Sequence, residues 1–191
     1  MAPSGFEVVA RYANGDIQRG ETWDFRPERA WFQMRVAGSD EPVRVLIEEL
    51  KAVFFVKSLD GNSLRDDTKE FAGPERVGRK TWVEFADGEQ IAGWVESLTE
   101  FANGFFLLPA DPQSNNEKVF VSRRAVVGLL HDADAERAAR QHDQRTASEG
   151  VRHSNELWKA FLGEAPRPKA PQPPKKRPPS RAGSGHFLQD F

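Results

Sequence analysis

Val8-Val9-Ala10-Arg11-Tyr12-Ala13-Asn14-Gly15-Asp16-Ile17-Gln18-Arg19-Gly20 recurs, 73 residues on, as Thr81-Trp82-Val83-Glu84-Phe85-Ala86-Asp87-Gly88-Glu89-Gln90-Ile91-Ala92-Gly93. Tyr12 falls on Phe85, Asn14 on Asp87, Gly15 on Gly88 and Gly20 on Gly93. At the same offset Trp31-Phe32-Gln33-Met34 falls on Gly104-Phe105-Phe106-Leu107. With one residue inserted, Val45–Glu49 meets Val119–Arg123 and Ala52–Val56 meets Val126–Leu130. Self-similarity at a fixed offset is the mark of a repeated structural unit. The reading is two copies, residues 6–57 and 79–131, joined by a polar linker with Gly and Pro, 58–78.

Each copy reads as antiparallel β. Asn-Gly and Asp-Gly between alternating apolar residues are strong hairpin signals, and a type I′ turn, with φ > 0 at both central residues, is expected. Further short strands are expected at Thr22–Phe25, Ala30–Val36, Val43–Ile47 and Ala52–Lys57, and in the second copy at Gly93–Leu98, Gly104–Leu108, Lys118–Val121 and Val126–His131. Five short strands that close on themselves leave no open edge, so each copy is expected to be a small barrel, with Gly20 and Gly93 at sharp bends. Ala52-Val53-Phe54-Phe55-Val56 is a continuous apolar run. Strands buried on both faces have this pattern. Two readings stand: the run lies at a seam between the copies, or it fills its own barrel.

Beyond the second copy the composition changes. Residues 132–163 are rich in Ala, Glu, Arg and Gln and are expected to be helical. The part up to Thr146 is polar all round except for Ala, whereas Val151, Asn155, Trp158 and Leu162 form a stripe with Leu157 and Phe161 beside it. Residues 164–191 form a Pro/Lys/Arg-rich tail, expected to be disordered and polyproline-like. Residues 166–181 alone hold seven of the 13 prolines and six bases, among them Lys175, Lys176 and Arg177. The fold class is thus an all-β body of two five-stranded small barrels, then a helical segment, then the tail.

The repeat resembles Sm-like small barrels, and blocks such as Leu50–Val56 resemble uncharacterised bacterial proteins that carry this domain in tandem. Sm-like proteins commonly bind single-stranded RNA and assemble into rings. The resemblance implies an Asp and then an Asn in the loop after the second Gly as RNA contacts. Asn103 matches the Asn and Thr99 departs from the Asp, while in the first copy Arg26 and Ala30 match neither. The family's second motif ends in a basic or polar residue and Gly. Ser122-Arg123-Arg124-Ala125 supplies the base without the Gly, and Glu48-Glu49-Leu50-Lys51 supplies neither.

Charge weighs on the functional reading. The chain has 27 Lys+Arg and 29 Asp+Glu, and residues 1–131 carry 16 bases against 21 acids, so the body lacks the positive field that phosphate backbones attract. With no Cys there are no disulfides, thiolate metal sites or cysteine nucleophiles. No apolar run is long enough to span a bilayer and no charged-then-apolar leader opens the chain, so a cytoplasmic protein without membrane contact is expected. His131, His142 and His153 recur every 11 residues, too far apart along a helix to share one metal. No phosphate loop, nucleophile elbow or metalloprotease motif occurs.

These observations favour a non-enzymatic protein-interaction scaffold without a cofactor, a monomer or homodimer. Its partner-docking residues would be Trp158 and Phe161 on the helix and Phe187, Leu188 and Phe191 at the end of the tail. The alternative is nucleic-acid binding through Asn103, Arg123 and Arg124, with Lys175, Lys176 and Arg177 in non-specific RNA or DNA contact. A third reading is a sensor holding a small ligand between the barrels.

Overall fold

The computed structural model describes residues 5–61 and 65–162. The chain falls into two compact units, Met1–Gly150 and Val151–Phe191. The first holds ten strands: β1 (Phe6–Tyr12), β2 (Ile17–Thr22), β3 (Trp31–Val36), β4 (Pro42–Leu46), β5 (Leu50–Val56), β6 (Arg79–Phe85), β7 (Gln90–Val95), β8 (Gly104–Pro109), β9 (Asn116–Ser122) and β10 (Val126–His131). Three-residue 3-10 turns, Ile47–Glu49 and Arg123–Ala125, precede β5 and β10, and one helix, α1 (Asp132–Leu162), follows. In the second unit the described residues, 151–162, are the end of α1. Among the described residues no helix is long and apolar enough to cross a membrane.

All ten strands join one antiparallel sheet in the order β10-β6-β7-β8-β9-β5-β1-β2-β3-β4. The sheet is open, with β10 and β4 at its edges, which corrects the expectation of two closed barrels. The reason lies in β5. Its second edge, the one that would close the first copy, pairs with β9 of the other copy: Ala52 lies opposite Val121, Val53 opposite Phe120 and Phe54 opposite Val119.

Every residue of β5 is buried. Val53, Phe55 and Leu50 enter a core with Val8, Phe32, Met34 and Val45 of the first copy. Ala52, Phe54 and Val56, on the opposite face, enter the core of the second copy with Val83, Phe85, Phe105 and Leu107. Of the two readings of the apolar run, the seam is the one that forms. β9 reciprocates, sending Val119 and Val121 to the second core and Phe120 to the first.

The hairpins depart from the expected type I′ turn. Only the glycines take positive φ, 94° at Gly15 and 85° at Gly88. The Gly15 N–H donates to Tyr12 O and the Tyr12 N–H to Asp16 O, with the same pair of bonds from Gly88 to Phe85 and from Phe85 to Glu89. This is a three-residue loop closed by a left-handed glycine, a connection that the same Asn-Gly and Asp-Gly sequences serve equally well. A loop this tight starts the return strand at once. The second strand of each copy is therefore Ile17–Thr22 or Gln90–Val95, several residues earlier than the strands expected at Thr22–Phe25 and Gly93–Leu98. Gly20 and Gly93 mark close approach: a Cβ would lie 1.9 Å from Arg35 O at the first and 2.2 Å from Leu108 O at the second.

The repeat offset stays 73 through β3, where Gly20 faces Val36 and Gly93 faces Pro109. From β4 onward it is 76, because Phe32 faces Val45 whereas Phe105 faces Val121. The second copy thus carries three extra residues between its third and fourth strands, where a single inserted residue was expected. Both copies have a bulge in the ladder of first with last strand, at Lys51 and at Val127.

His131 is the last residue of β10, not part of a helical stripe, and α1 starts at Asp132 with φ 51°. The first turns of α1 dock through alanine: Ala135 and Ala139 are fully buried against Trp82, Ala92 and Ala110, with Phe71 of the linker beside them. Small residues four apart let a helix lie close on a sheet. The linker is strapped to the same half. Asp143 Oδ2 accepts from Thr68 Oγ1 at 2.5 Å and from the N–H groups of Lys69 and Glu70 at 2.9 and 3.2 Å. Buried Asp111 accepts from Arg65 at 2.6 Å.

Because Phe54 is a residue of the first copy that fills the second core, Phe54→Ala is expected to cost about 3–5 kcal/mol. In urea titration of the whole chain, tryptophan fluorescence and circular dichroism should shift together in one transition. A separate early transition would mean that the halves fold independently.

Candidate functional site

Edge pairing of β5 with β9 brings four loops to one end of the seam. From the first copy come the β2–β3 loop and the turn after β4; from the second come the β7–β8 loop and the turn after β9. Between them lies a cleft of about 550 Å³ lined by Glu28, Ala30, Leu46, Ile47, Glu48, Ala102, Asn103, Ser122, Arg123 and Arg124. The three body residues singled out from the sequence, Asn103, Arg123 and Arg124, therefore meet in one place.

Their polar groups are engaged there. The Asn103 side-chain amide donates to Pro27 O at 2.9 Å and Arg29 O at 3.4 Å, tying the β7–β8 loop to the β2–β3 loop. Arg123 donates back to the carbonyls of Leu98 and Phe101, and so braces its own copy's loop. Arg124 Nη1 stands 3.6 Å from Glu48 Oε2 across the cleft, both side chains exposed. One wall is acidic (Glu28, Glu48) and the other basic (Arg123, Arg124).

A second polar cluster crosses the seam on the hairpin side. Lys51, at the β5 bulge, is buried yet reaches the second copy's hairpin, with Nζ 2.5 Å from both Asp87 Oδ2 and Glu89 Oε2. Arg11 of β1 donates to the two Glu89 oxygens at 2.6 and 2.8 Å. The cations also lie over rings, Lys51 Nζ 4.5 Å from Phe85 and Arg11 Cζ 4.6 Å from Phe54. Burial pushes the Glu89 carboxyl up, but the bonds and charges of Lys51 and Arg11 outweigh it and hold the group below its ordinary value. The hydrogen bond from Lys51 holds Asp87 below its own. The only trace of this cluster in the sequence is a lone Lys inside the apolar run Leu50–Val56.

A third feature is the outward face of β2, β3 and β4. Trp31 is capped by Arg44 (Cζ 4.2 Å from the ring centroid) and Trp23 by Arg35 (5.5 Å). Alternation places Arg19, Arg35 and Arg44 on this face, with Glu21 3.9 Å from Arg35. At its β2 margin Ile17 and Arg19 line a cleft with Asp60, Asp66 and Asp67 of the linker. On the matching face of the second copy, Ala92 and the adjoining Ala110 lie under α1 and Phe71, while Phe106 and Phe120 enter the first copy's core.

Elsewhere, His131 Nδ1 lies 3.2 Å from Thr81 Oγ1, and His142 packs against Trp82. Among the described residues no group of three or more His, Asp or Glu is placed to hold a metal ion. Lys175, Lys176, Arg177, Phe187, Leu188 and Phe191 lie outside the described residues, as do the side chains of Trp158 and Phe161.

Sheet order, shared strand and seam together define a tandem-repeat β protein whose two copies are fused through one ladder into a single sheet, with a helix laid on the second copy. The chain belongs to a family of unknown function, DUF6982, matched over residues 5–131. The match ends at the last residue of β10, so it covers the ten strands and stops before α1. No curated protein and no solved structure matches the chain.

In the folded chain Asp87 and Glu89 hold protons less tightly than in the unfolded chain. The stability they add is full above the ordinary carboxylate range, near pH 4, and is lost as pH falls through the lower folded values. Lys51→Met is expected to cost about 1–3 kcal/mol at neutral pH. It should also flatten the fall in Tm on acidification relative to the native chain. An unchanged acid limb in thermal melts from pH 7 to pH 3 would mean that the cluster adds nothing.

Proposed function

We propose that this protein is a non-enzymatic protein-interaction scaffold. Each half would be an opened small barrel of Sm-like type, with the exposed outer face of β2–β4 receiving an acidic segment of a partner protein. The observation that carries this reading is the pair of arginine-capped tryptophans, Trp31 with Arg44 and Trp23 with Arg35, on the outward face of these strands. Stacked Arg and Trp offer a flat apolar surface rimmed with donors for carboxylates. The asymmetry between the copies supports it, since the second copy's outer face is taken up by α1, Phe71 and the first core, whereas the outward residues of β3 and β4 in the first copy carry Trp31, Arg35 and Arg44. Within each half the order fifth, first, second, third, fourth strand supports the Sm-like comparison.

Nucleic-acid binding at the seam would need Asn103 and Arg123 to release the carbonyls they now hold. The seam cleft, with its acidic and basic walls, favours the small-ligand reading as the second one. Its ligand would be zwitterionic and would raise Tm on addition.

The test titrates the full chain with a synthetic Asp/Glu-rich peptide bearing one aromatic residue, and separately with single-stranded oligo(U), reading intrinsic tryptophan fluorescence and anisotropy. Peptide binding is expected, weakened about fivefold or more by Trp31→Ala and by Arg44→Ala. Asn103→Ala should leave it intact. Oligo(U) binding lost on Asn103→Ala would transfer the function to the nucleic-acid reading. Binding of neither would overturn the role given to this face.

A further inference from the structure

The strand β10 is an open edge of unusual composition. Val126-Val127-Gly128-Leu129-Leu130-His131 contains no acid, no Lys, no Arg and no Pro, and Val127 and Leu130 are 65% and 41% exposed. Such an edge is a template for another strand, and proteins normally blunt it with charge, Pro or a cover. Here α1 leaves at Asp132 and packs on Trp82 of β6, Ala92 of β7 and Ala110 just past β8, in a cluster that includes no residue of β10. Its structural counterpart in the first copy, β5, has the same bulge and is completed edge to edge by β9. An edge of this construction therefore takes a strand within this very molecule.

We propose that the occupant of the β10 edge is β10 of a second copy, paired antiparallel about a two-fold axis. The charges flanking the strand set this choice. Arg123 and Arg124 stand before β10, and Asp132 and Asp134 stand after it. Within one chain Arg124 meets Glu48, Asp132 meets Arg79 and Asp134 meets Arg137, all in exposed pairs that a second copy can exchange at little cost. Antiparallel self-pairing brings the basic start of each strand to the acidic end of the other, twice by symmetry. It also keeps the two His131 rings at opposite ends.

The other open edge, β4, is a poorer complement. Its ends are both acidic, Asp40-Glu41 before and Glu48-Glu49 after, so one of them would meet Asp132 and Asp134. Pro42 removes a ladder donor there. The groups that weld the internal seam are also replaced at the repeat-equivalent positions: Lys51 becomes Val127, Arg11 becomes Glu84 and Glu89 becomes Asp16. Head-to-tail growth would set Glu84 against Asp16 of the next chain. Two-fold pairing closes at two copies.

The experiment is sedimentation velocity and light scattering on the full chain across a wide concentration range. The expected result is a monomer–dimer equilibrium with no larger species. Val127→Lys with Leu130→Lys, both exposed positions, should give monomer at every concentration with circular dichroism unchanged. Arg124→Glu should weaken the dimer about tenfold through its two symmetric pairs, and adding Asp134→Arg should restore it. That charge exchange decides the matter even if the double lysine variant fails to fold. Val43→Lys, on the β4 edge, should leave the dimer intact. A monomer throughout, open-ended assembly, dissociation by Val43→Lys, or no response to the charge exchange would each overturn the proposal.

Discussion

The architecture rests on one strand with two sets of obligations. β5 gives hydrogen bonds to β1 on one side and β9 on the other, and it sends alternate side chains into two different cores. A small barrel of about 50 residues closes over little apolar volume and is marginal alone. Sharing a fully buried strand gives each half a wall that belongs to the other, and joins two thin cores along Phe54, Phe55, Phe106 and Phe120. Openness of the sheet is the direct result. The backbone groups that would close the first copy are spent on the seam.

The polar features of the seam follow from that geometry. The bulge at Lys51 turns a cation out of an apolar strand toward the second hairpin, where Asp87 and Glu89 wait within hydrogen-bond range. A buried ammonium is tolerable only when paired, so Lys51 accepts beside it a hairpin that carries carboxylates at the positions of Asp87 and Glu89. Asn103 does similar work at the other end, holding the first copy's loop by its carbonyls. Groups that looked available for a ligand in the sequence are, in the fold, largely internal fasteners.

Much of the body was legible from residues alone. The paired Asn14-Gly15 and Asp87-Gly88 signals, the alternating strands between them and the continuous run at Ala52–Val56 reflect local patterning and appear as β structure. What stayed hidden depends on distance. Nothing local in β5 or β9 says that they pair, because register between strands far apart in sequence is set by shape and burial. The turn type was ambiguous because an Asn-Gly pair suits two loop geometries. The docking face of α1 leaves little mark in the sequence because Ala135 and Ala139 give little hydrophobic contrast. The seam cluster was hidden because Arg11, Lys51 and Glu89 are scattered along the chain.

The three extra residues in the second copy fall in the loop that receives the linker. Ser114 accepts from Lys57 Nζ and donates to Asp67, while Asn115 bonds with Lys57 and with Ser58. The chain leaving β5 is thus fastened at once to the half it must join. A joint of this kind between separate molecules would come and go with dilution. Here the tether is short, pinned near its start and again at Asp111 and Asp143, so its two ends remain neighbours at a very high effective concentration. The partnership of the two copies is therefore set by the length of the chain between them, and is as complete in a dilute cell extract as in a concentrated one.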